Sequence, residues 1–167
     1  MNTALPIHLV VRFSDALMSV DDTIAEHQRV IKKRGRVWFA KVGKGLAGIH
    51  IERINRQCAD GVKTFVILVQ NKGRPGFSNY VAYKGTIRDI RPDLPEAEHN
   101  CCPAYYDDQN VRRAARLWIK LSDIVPMSME SLRKFQIASS KMAVPQTLRR
   151  SMAAIFVIQE GEGLVSD

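Results

Sequence analysis

An indole beside concentrated positive charge is the feature of this sequence best suited to chemistry. Trp38 lies among basic residues with no acid between positions 29 and 45. Stacking a nucleic-acid base and holding its phosphates requires that combination. Spacing alone favours the alternative, a core tryptophan on a central strand. The basic residues are Arg29, Lys32, Lys33, Arg34, Arg36, Lys41 and Lys44.

Other reactive residues match no motif for catalysis, metal binding or triphosphate binding. No serine lies in a nucleophile elbow, and no histidine pair has the spacing of a metal-binding helix. We therefore expect no enzymatic activity, no cofactor and no metal within this chain. The groups considered are Asp21–Asp22, Asp107–Asp108, the set His99, Cys101, Cys102 and Cys58, and the run Gly43-Lys44-Gly45.

Several aromatic residues lie near the basic segments. Each alone is more often a core residue. Two or three together could close a cage around a planar base, because apolar ring faces exclude water from a methyl group. The set comprises Trp38, Tyr80, Tyr83, Tyr105, Tyr106 and Trp118.

Length and composition predict one basic globular domain. The chain has 167 residues, a net charge of +8 and an isoelectric point near 9.7, which suits a polyanionic partner. We expect a domain over residues 1–160 and the start of a linker or tail at 161–167. The absence of a signal peptide and of a long apolar run leads us to expect a cytoplasmic protein without a membrane partner. Three cysteines, an odd number, argue against a disulfide framework.

Hydrophobic periodicity predicts six strands and two to three helices. Strand 36–43 has alternating faces, with Trp38 and Ala40 opposite Phe39 and Lys41. Such an order predicts an α+β fold, a small mixed β-barrel with helices packed outside. Strands are predicted at 7–13, 36–43, 64–69, 80–90, 115–124 and 153–158, and helices at 23–34, at 46–59 and after a Ser128 cap. Residues 91–110 are predicted to be a long surface loop.

The order of short motifs carries a family resemblance. An apolar strand with a serine turn, an acidic helix start and a tryptophan strand occur at 9–14, 20–23 and 35–38. A strand, a glycine hairpin and a returning strand follow at 65–90. A tryptophan strand with an Asp-Ile-Val-Pro step and a Leu-Arg helix follow at 117–133. This order resembles the PUA-like superfamily, particularly its EVE and YTH branches, which read modified bases. The inserted helix 46–59 departs from the pattern.

The resemblance implies a site. Trp38 takes the position of a cage tryptophan that stacks on the base. Tyr105 or Tyr106 replaces a second cage tryptophan, which this chain lacks. Ser14 and Asp15 would bond the polar edge of the base. The implied pocket comprises Ser14, Asp15, Trp38, Phe39, Tyr83, Tyr105, Tyr106 and Trp118, and the implied phosphate contacts are Lys41, Lys44, Lys72 and Arg74.

The function implied is a DNA-binding domain that flips a methylated base, of the 5-methylcytosine type or 6-methyladenine, into an aromatic pocket. The chain resembles domains that precede nuclease or McrB-like motor parts in modification-dependent restriction systems. Its expected partners are double-stranded DNA with a modified base and a fused or separate nuclease or NTPase. One alternative is an RNA-binding module of the same fold. A small-molecule hydrolase or protein-interaction domain would be favoured by scattered basic residues and a fully buried Trp38.

Overall fold

Strand β1, His8–Arg12, lies inside a mixed sheet, as its apolar sequence predicts. It pairs in parallel with β3, Phe65–Asn71, and antiparallel with β7, Ile155–Glu160. The structure is a computed structural model, and it describes residues 4–14, 23–73, 79–108 and 111–161. The other strands are β2 Val37–Val42, β4 Tyr80–Arg91, β5 Ala115–Met127 and β6 Phe135–Ile137.

Over the described residues, the sheet has seven strands in the order β2-β5-β4-β3-β1-β7-β6. The predicted barrel of about six strands is therefore wrong in two respects. Strand β6, only three residues long, was not predicted, because so short a strand has no measurable periodicity. Strands β2 and β6 are the two ends of the sheet and do not pair with each other, so the barrel is not closed.

The open sheet nevertheless curls strongly. Phe39 on β2 lies four strands away from Phe13, which follows β1, a distance of roughly 19 Å in a flat sheet. Their ring centroids are 6.4 Å apart. The β4–β5 ladder shifts register twice, and such bulges bend a sheet. The curl brings β2 across the main core from β1.

Three longer helices pack on this sheet. Helix α1, Thr23–Arg34, ends before Gly35, whose φ of 82° permits the left-handed turn expected after a basic last turn. Helix α2 spans Gly48–Ala59, within two residues of its predicted start. Helix α5 spans Val144–Arg150. Within the described ranges, none of the helices has the length and apolar character needed to cross a membrane.

The segment predicted as a long surface loop is a packed layer. It contains a 3₁₀ helix at Glu96–Glu98 and the short helix α3, Tyr105–Asp108, and α4, Val111–Ala114, follows it. Cys101, Cys102 and Tyr106 are buried. The prediction failed because this layer is held by contacts with distant strands rather than by its own periodicity. The predicted Ser128 cap is confirmed: its Oγ accepts from Ser131 N–H at the start of a 3₁₀ helix, Met129–Lys134.

Candidate functional site

A small pocket opens where the end of β1, the start of α1, the end of β2 and α3 meet. Its volume is about 150 Å³. It brings together five of the predicted site residues, although they are far apart in sequence. Those five are Ser14, Phe39, Lys41, Tyr105 and Tyr106, and the rest of the lining is Arg12, Phe13, Thr23, Ala40, Val42 and Val111.

Aromatic rings form one side of the pocket. Tyr105 and Tyr106 meet edge to face, with ring centroids 4.9 Å apart and planes at 83°. Phe39 lies 5.0 Å from the ring of His27, which lies 5.6 Å from Tyr106. The Phe39–His27 contact is tilted and the other two are edge to face, and such contacts fix ring orientations. The wall is therefore ordered by its own packing.

A buried hydrogen-bond chain orients Tyr106. His27 is fully buried, and burial lowers its pKa to about 4, so the ring is neutral at pH 7. Its Nδ1 lies 2.7 Å from the Thr23 carbonyl, which can only accept, so Nδ1 carries the proton. Nε2, 2.7 Å from the Tyr106 hydroxyl, must then accept from it. That hydroxyl in turn accepts from Ala40 N–H at 3.0 Å. The Tyr106 hydroxyl donates its proton to His27, so toward a ligand it can act only as a hydrogen-bond acceptor.

Two basic residues, Arg12 and Lys41, line the pocket, and the Arg12 guanidinium already donates to the carbonyls of Leu148 and Ser151. Lys41 is 7% exposed, and burial lowers the pKa of its ammonium. Nζ donates to the Val42 carbonyl at 2.5 Å, and the ion pairs among the described residues do not include it. An ammonium has three N–H donors, and burying them unpaired is costly. A ligand that presents an acceptor to Lys41 would reduce that cost.

The prediction that Trp38 and Trp118 present their rings to a base disagrees with the structure. Trp38 is 1% exposed and Trp118 is 2% exposed. The predicted alternation of β2 is confirmed, and it places Trp38 on the face opposite Phe39, in a cluster with Cys101 and Cys102. The layer between β4 and β5 covers that face. Neither indole lines the pocket.

Glu98 joins that layer to β2. Its carboxylate accepts from Arg36 Nε at 2.9 Å and Nη2 at 2.6 Å, and from the Trp38 indole at 3.3 Å, and it lies 3.4 Å from Lys120 Nζ. The Arg36 bonds are the main reason that the pKa of Glu98 falls to about 2. Sequence reasoning missed Glu98. The sequence did contain a signal for Glu98, because the Trp38 indole N–H and the cations of Arg36 and Lys120 lie close together on neighbouring strands. Such a group of donors requires an acceptor.

The same layer pairs the free edge of β2. Trp38 N–H donates to the Cys101 carbonyl at 2.8 Å, and Ala40 N–H donates to the Tyr106 hydroxyl. Edge strands are usually protected in such ways. Tyr106 thus reaches round the edge of β2, touching Trp118 on one side and His27 on the other.

The remaining predicted residues lie around the pocket or outside the described ranges. Tyr83 packs behind the pocket, 6.4 Å from Phe13. Lys44 and Lys72 are exposed, and Lys72 follows β3, the parallel neighbour of β1. Lys41 lines the pocket instead of the outer surface. Asp15 and Arg74 fall outside the described residues. Thr23, which lines the pocket, and His27, which lies behind its wall and bonds Tyr106, were missed.

A protein-family model described as Pua-like matches residues 9–163 of this chain. No curated protein and no solved structure matches the chain significantly.

Proposed function

Because the chain belongs to the Pua-like family, which suggests nucleic-acid or modified-base binding, we propose that it reads a modified base held in the pocket between β1, α1, β2 and α3. The volume of about 150 Å³ is below that of sites for whole drug-sized ligands and suits one flat ring. A base must leave its stack to enter such a pocket. The proposal therefore includes base flipping.

The buried Lys41 carries this proposal. Its ammonium offers donors beside Phe39, Tyr105 and Tyr106, so a planar ring with a carbonyl or ring-nitrogen acceptor would satisfy it. Trp38 has no part in this version of the site, and the wall consists of Phe39 and the two tyrosines. Ser14 lies at the mouth, where its hydroxyl could contact the polar edge of the base.

The partner proposed is double-stranded DNA with a 5-methylcytosine-type base or 6-methyladenine. The net charge of +8 and the exposed Lys44 and Lys72 support binding to a phosphate backbone. The motif order supports a role as the specificity module of a modification-dependent restriction system. Cleavage would then belong to a fused or separate nuclease or NTPase, and this chain would not be an enzyme.

The burial of Trp38 favours a second candidate, binding of a free small molecule such as a modified nucleoside. Without an exposed indole, the surface has less stacking area for a polynucleotide. RNA is the other polymer to compare, since contacts to 2′-hydroxyls would give it preference.

Fluorescence anisotropy at about 150 mM salt tests the proposal. The probes are matched duplexes, unmodified or carrying 5-methylcytosine, 5-hydroxymethylcytosine or 6-methyladenine, with an RNA of the same sequence and free nucleosides as competitors. We expect one modified duplex to bind about tenfold more tightly than the unmodified one. A tenfold ratio corresponds to a difference of about 1.4 kcal/mol in binding free energy. Equal, salt-sensitive binding to all duplexes would refute modified-base reading, and full competition by a nucleoside would favour the second candidate.

Lys41→Met tests the pocket itself. Methionine keeps most of the volume and removes the donors, so the preference for the modified duplex should fall to near unity while nonspecific binding changes little. Lys32→Met removes the same charge from the exposed part of α1 and is the matched control. A folded Lys41→Met protein that keeps its preference would show that the base binds elsewhere.

A further inference from the structure

A second, larger cavity lies at the amino ends of β1 and β3. Its volume is about 750 Å³, within the range of small-molecule sites. His8 lines it at the first residue of β1, whereas the pocket described above adjoins the last residue, Arg12. The length of β1 separates the two by roughly 13 Å. His8 also packs against Phe65 and Phe135 of the second core cluster, on the side of β1 away from Phe39.

The side chains that line this cavity carry more positive than negative charge. Lys63, Lys84 and Arg88 line it with one carboxylate, Glu160. None of the four belongs to an ion pair among the described residues. Lys84 Nζ lies 4.5 Å from the Phe65 ring centroid, and Arg88 Nε donates to a serine hydroxyl at 3.0 Å. Three cations with one acid between them favour an anionic ligand.

His8 adds a buried donor. Its side chain is 4% exposed and stacks on Phe65, with centroids 3.8 Å apart and planes at 9°. Nδ1 accepts from Phe65 N–H at 3.3 Å, so the neutral ring carries its proton on Nε2. No acceptor for Nε2 is present in the described part of the chain. Every fully enclosed side-chain nitrogen or oxygen in that part of the chain has a hydrogen-bond partner. Because Nε2 has no partner there, it is not fully enclosed, and it must reach the surface of the cavity.

We propose that this cavity binds a small phosphate monoester, with the phosphate facing the three cations and the Nε2–H of His8. The inference does not depend on the function proposed for the other pocket. A nucleoside monophosphate has the size and charge required. The apolar part of the lining, which includes Val62, Phe65 and Ile87, would face the non-phosphate end of the ligand.

His8 provides a signature that a general surface attraction would not produce. Burial, with help from the nearby Lys84, lowers its pKa to about 4. A bound dianion would stabilise the protonated imidazole and raise that pKa. Anion binding and His8 protonation are then linked, so affinity should increase as the pH falls from 6.5 towards 4. Sulfate is the probe for this measurement because its charge is constant over that range.

The test is isothermal titration of the whole chain with inorganic phosphate and with adenosine monophosphate, compared with a Lys84→Gln/Arg88→Gln variant. Both side chains are exposed, so the variant should fold. We expect saturable binding that weakens about tenfold or more in the variant, since hydrogen bonds to charged groups are lost. A Lys32→Gln/Lys33→Gln variant loses the same charge from α1 and should bind as the unaltered chain does.

Three results would overturn the proposal. One is equal weakening in both double variants, which would show only nonspecific attraction. Another is a His8 pKa, followed by NMR, that sulfate does not raise. The third is binding of a 5′-phosphorylated oligonucleotide at this cavity without binding of inorganic phosphate or adenosine monophosphate. That result would show that the cavity holds the phosphorylated end of a nucleic-acid strand. Lys41→Met should leave phosphate binding intact, so failure here and failure of the proposed base pocket are distinguishable.

Discussion

Replacing Tyr106 with phenylalanine would remove one oxygen from the centre of the pocket wall. That hydroxyl donates to His27 Nε2 at 2.7 Å and accepts from Ala40 N–H at 3.0 Å. Both bonds would be lost together while the ring and its packing against Trp118 remain. The change therefore isolates the polar contribution of Tyr106.

The expected loss of stability follows from the burial of the two groups left without a partner, His27 Nε2 and Ala40 N–H. His27 is fully buried and Tyr106 is 2% exposed, so water cannot replace the hydroxyl at Nε2. An unsatisfied buried polar group costs about 1–3 kcal/mol. Ala40 is only half-buried, and its N–H should cost less. We expect the free energy of unfolding to fall by about 2–4 kcal/mol.

Urea unfolding at neutral pH, followed by far-UV circular dichroism, measures this loss as a change in midpoint at constant slope. Tyr83→Phe is the matched control, because Tyr83 is a half-buried tyrosine packed against the main core and its hydroxyl has no described partner. It should change stability by less than about 0.5 kcal/mol. Equal effects of the two substitutions, or a Tyr106→Phe loss below about 1 kcal/mol, would refute the assigned hydrogen-bond chain.

Three further outcomes follow from the structure. The pKa values of His8 and His27 are lowered from 6.5 to about 4, so the unfolded chain binds more protons than the folded chain between pH 6.5 and pH 4. The free energy of unfolding should therefore fall by about 3 kcal/mol per histidine as the pH drops from 6.5 to 4. Urea midpoints measured across that pH range test this. Glu98→Gln should loosen the layer over the β2–β5 face, because it weakens the pairing with two cations, and acrylamide should then quench tryptophan fluorescence more strongly. Gly85→Ala should cost about 1–3 kcal/mol in thermal or urea unfolding, because its Cβ would lie 3.0 Å from a leucine methyl of β5.

Each of these outcomes has a check in the same chain. A flat pH profile in the unaltered protein would contradict the assigned burial of His8 and His27. Glu130→Gln alters an exposed ion pair and should not affect quenching. Gly48→Ala places its Cβ in open space at the start of α2 and should be neutral or stabilising, and a larger loss there than at Gly85 would contradict the packing argument.

Much of the local structure was predictable because it depends on neighbouring residues. The apolar run of β1 indicated an interior strand, the two-residue period of β2 separated Trp38 from Phe39, and the basic turn before Gly35 marked the end of α1. Four residues predicted for one pocket, Ser14, Phe39, Tyr105 and Tyr106, do line one pocket, although their grouping followed from motif order rather than from distance, and their role there stays a prediction.

What covers each face was decided only by the tertiary structure. Alternation shows that Trp38 and Phe39 point to opposite sides of β2, but it cannot show which side receives another layer. Glu98, 60 residues further along the chain, bonds the Trp38 indole, and Tyr106, 79 residues from His27, bonds that histidine. Such partners have no common period and no fixed spacing. The sequence alone therefore determined six of the seven described strands, the faces of β2 and the basic charge, whereas long-range packing decided that Trp38 is buried and that Lys41 lines the pocket.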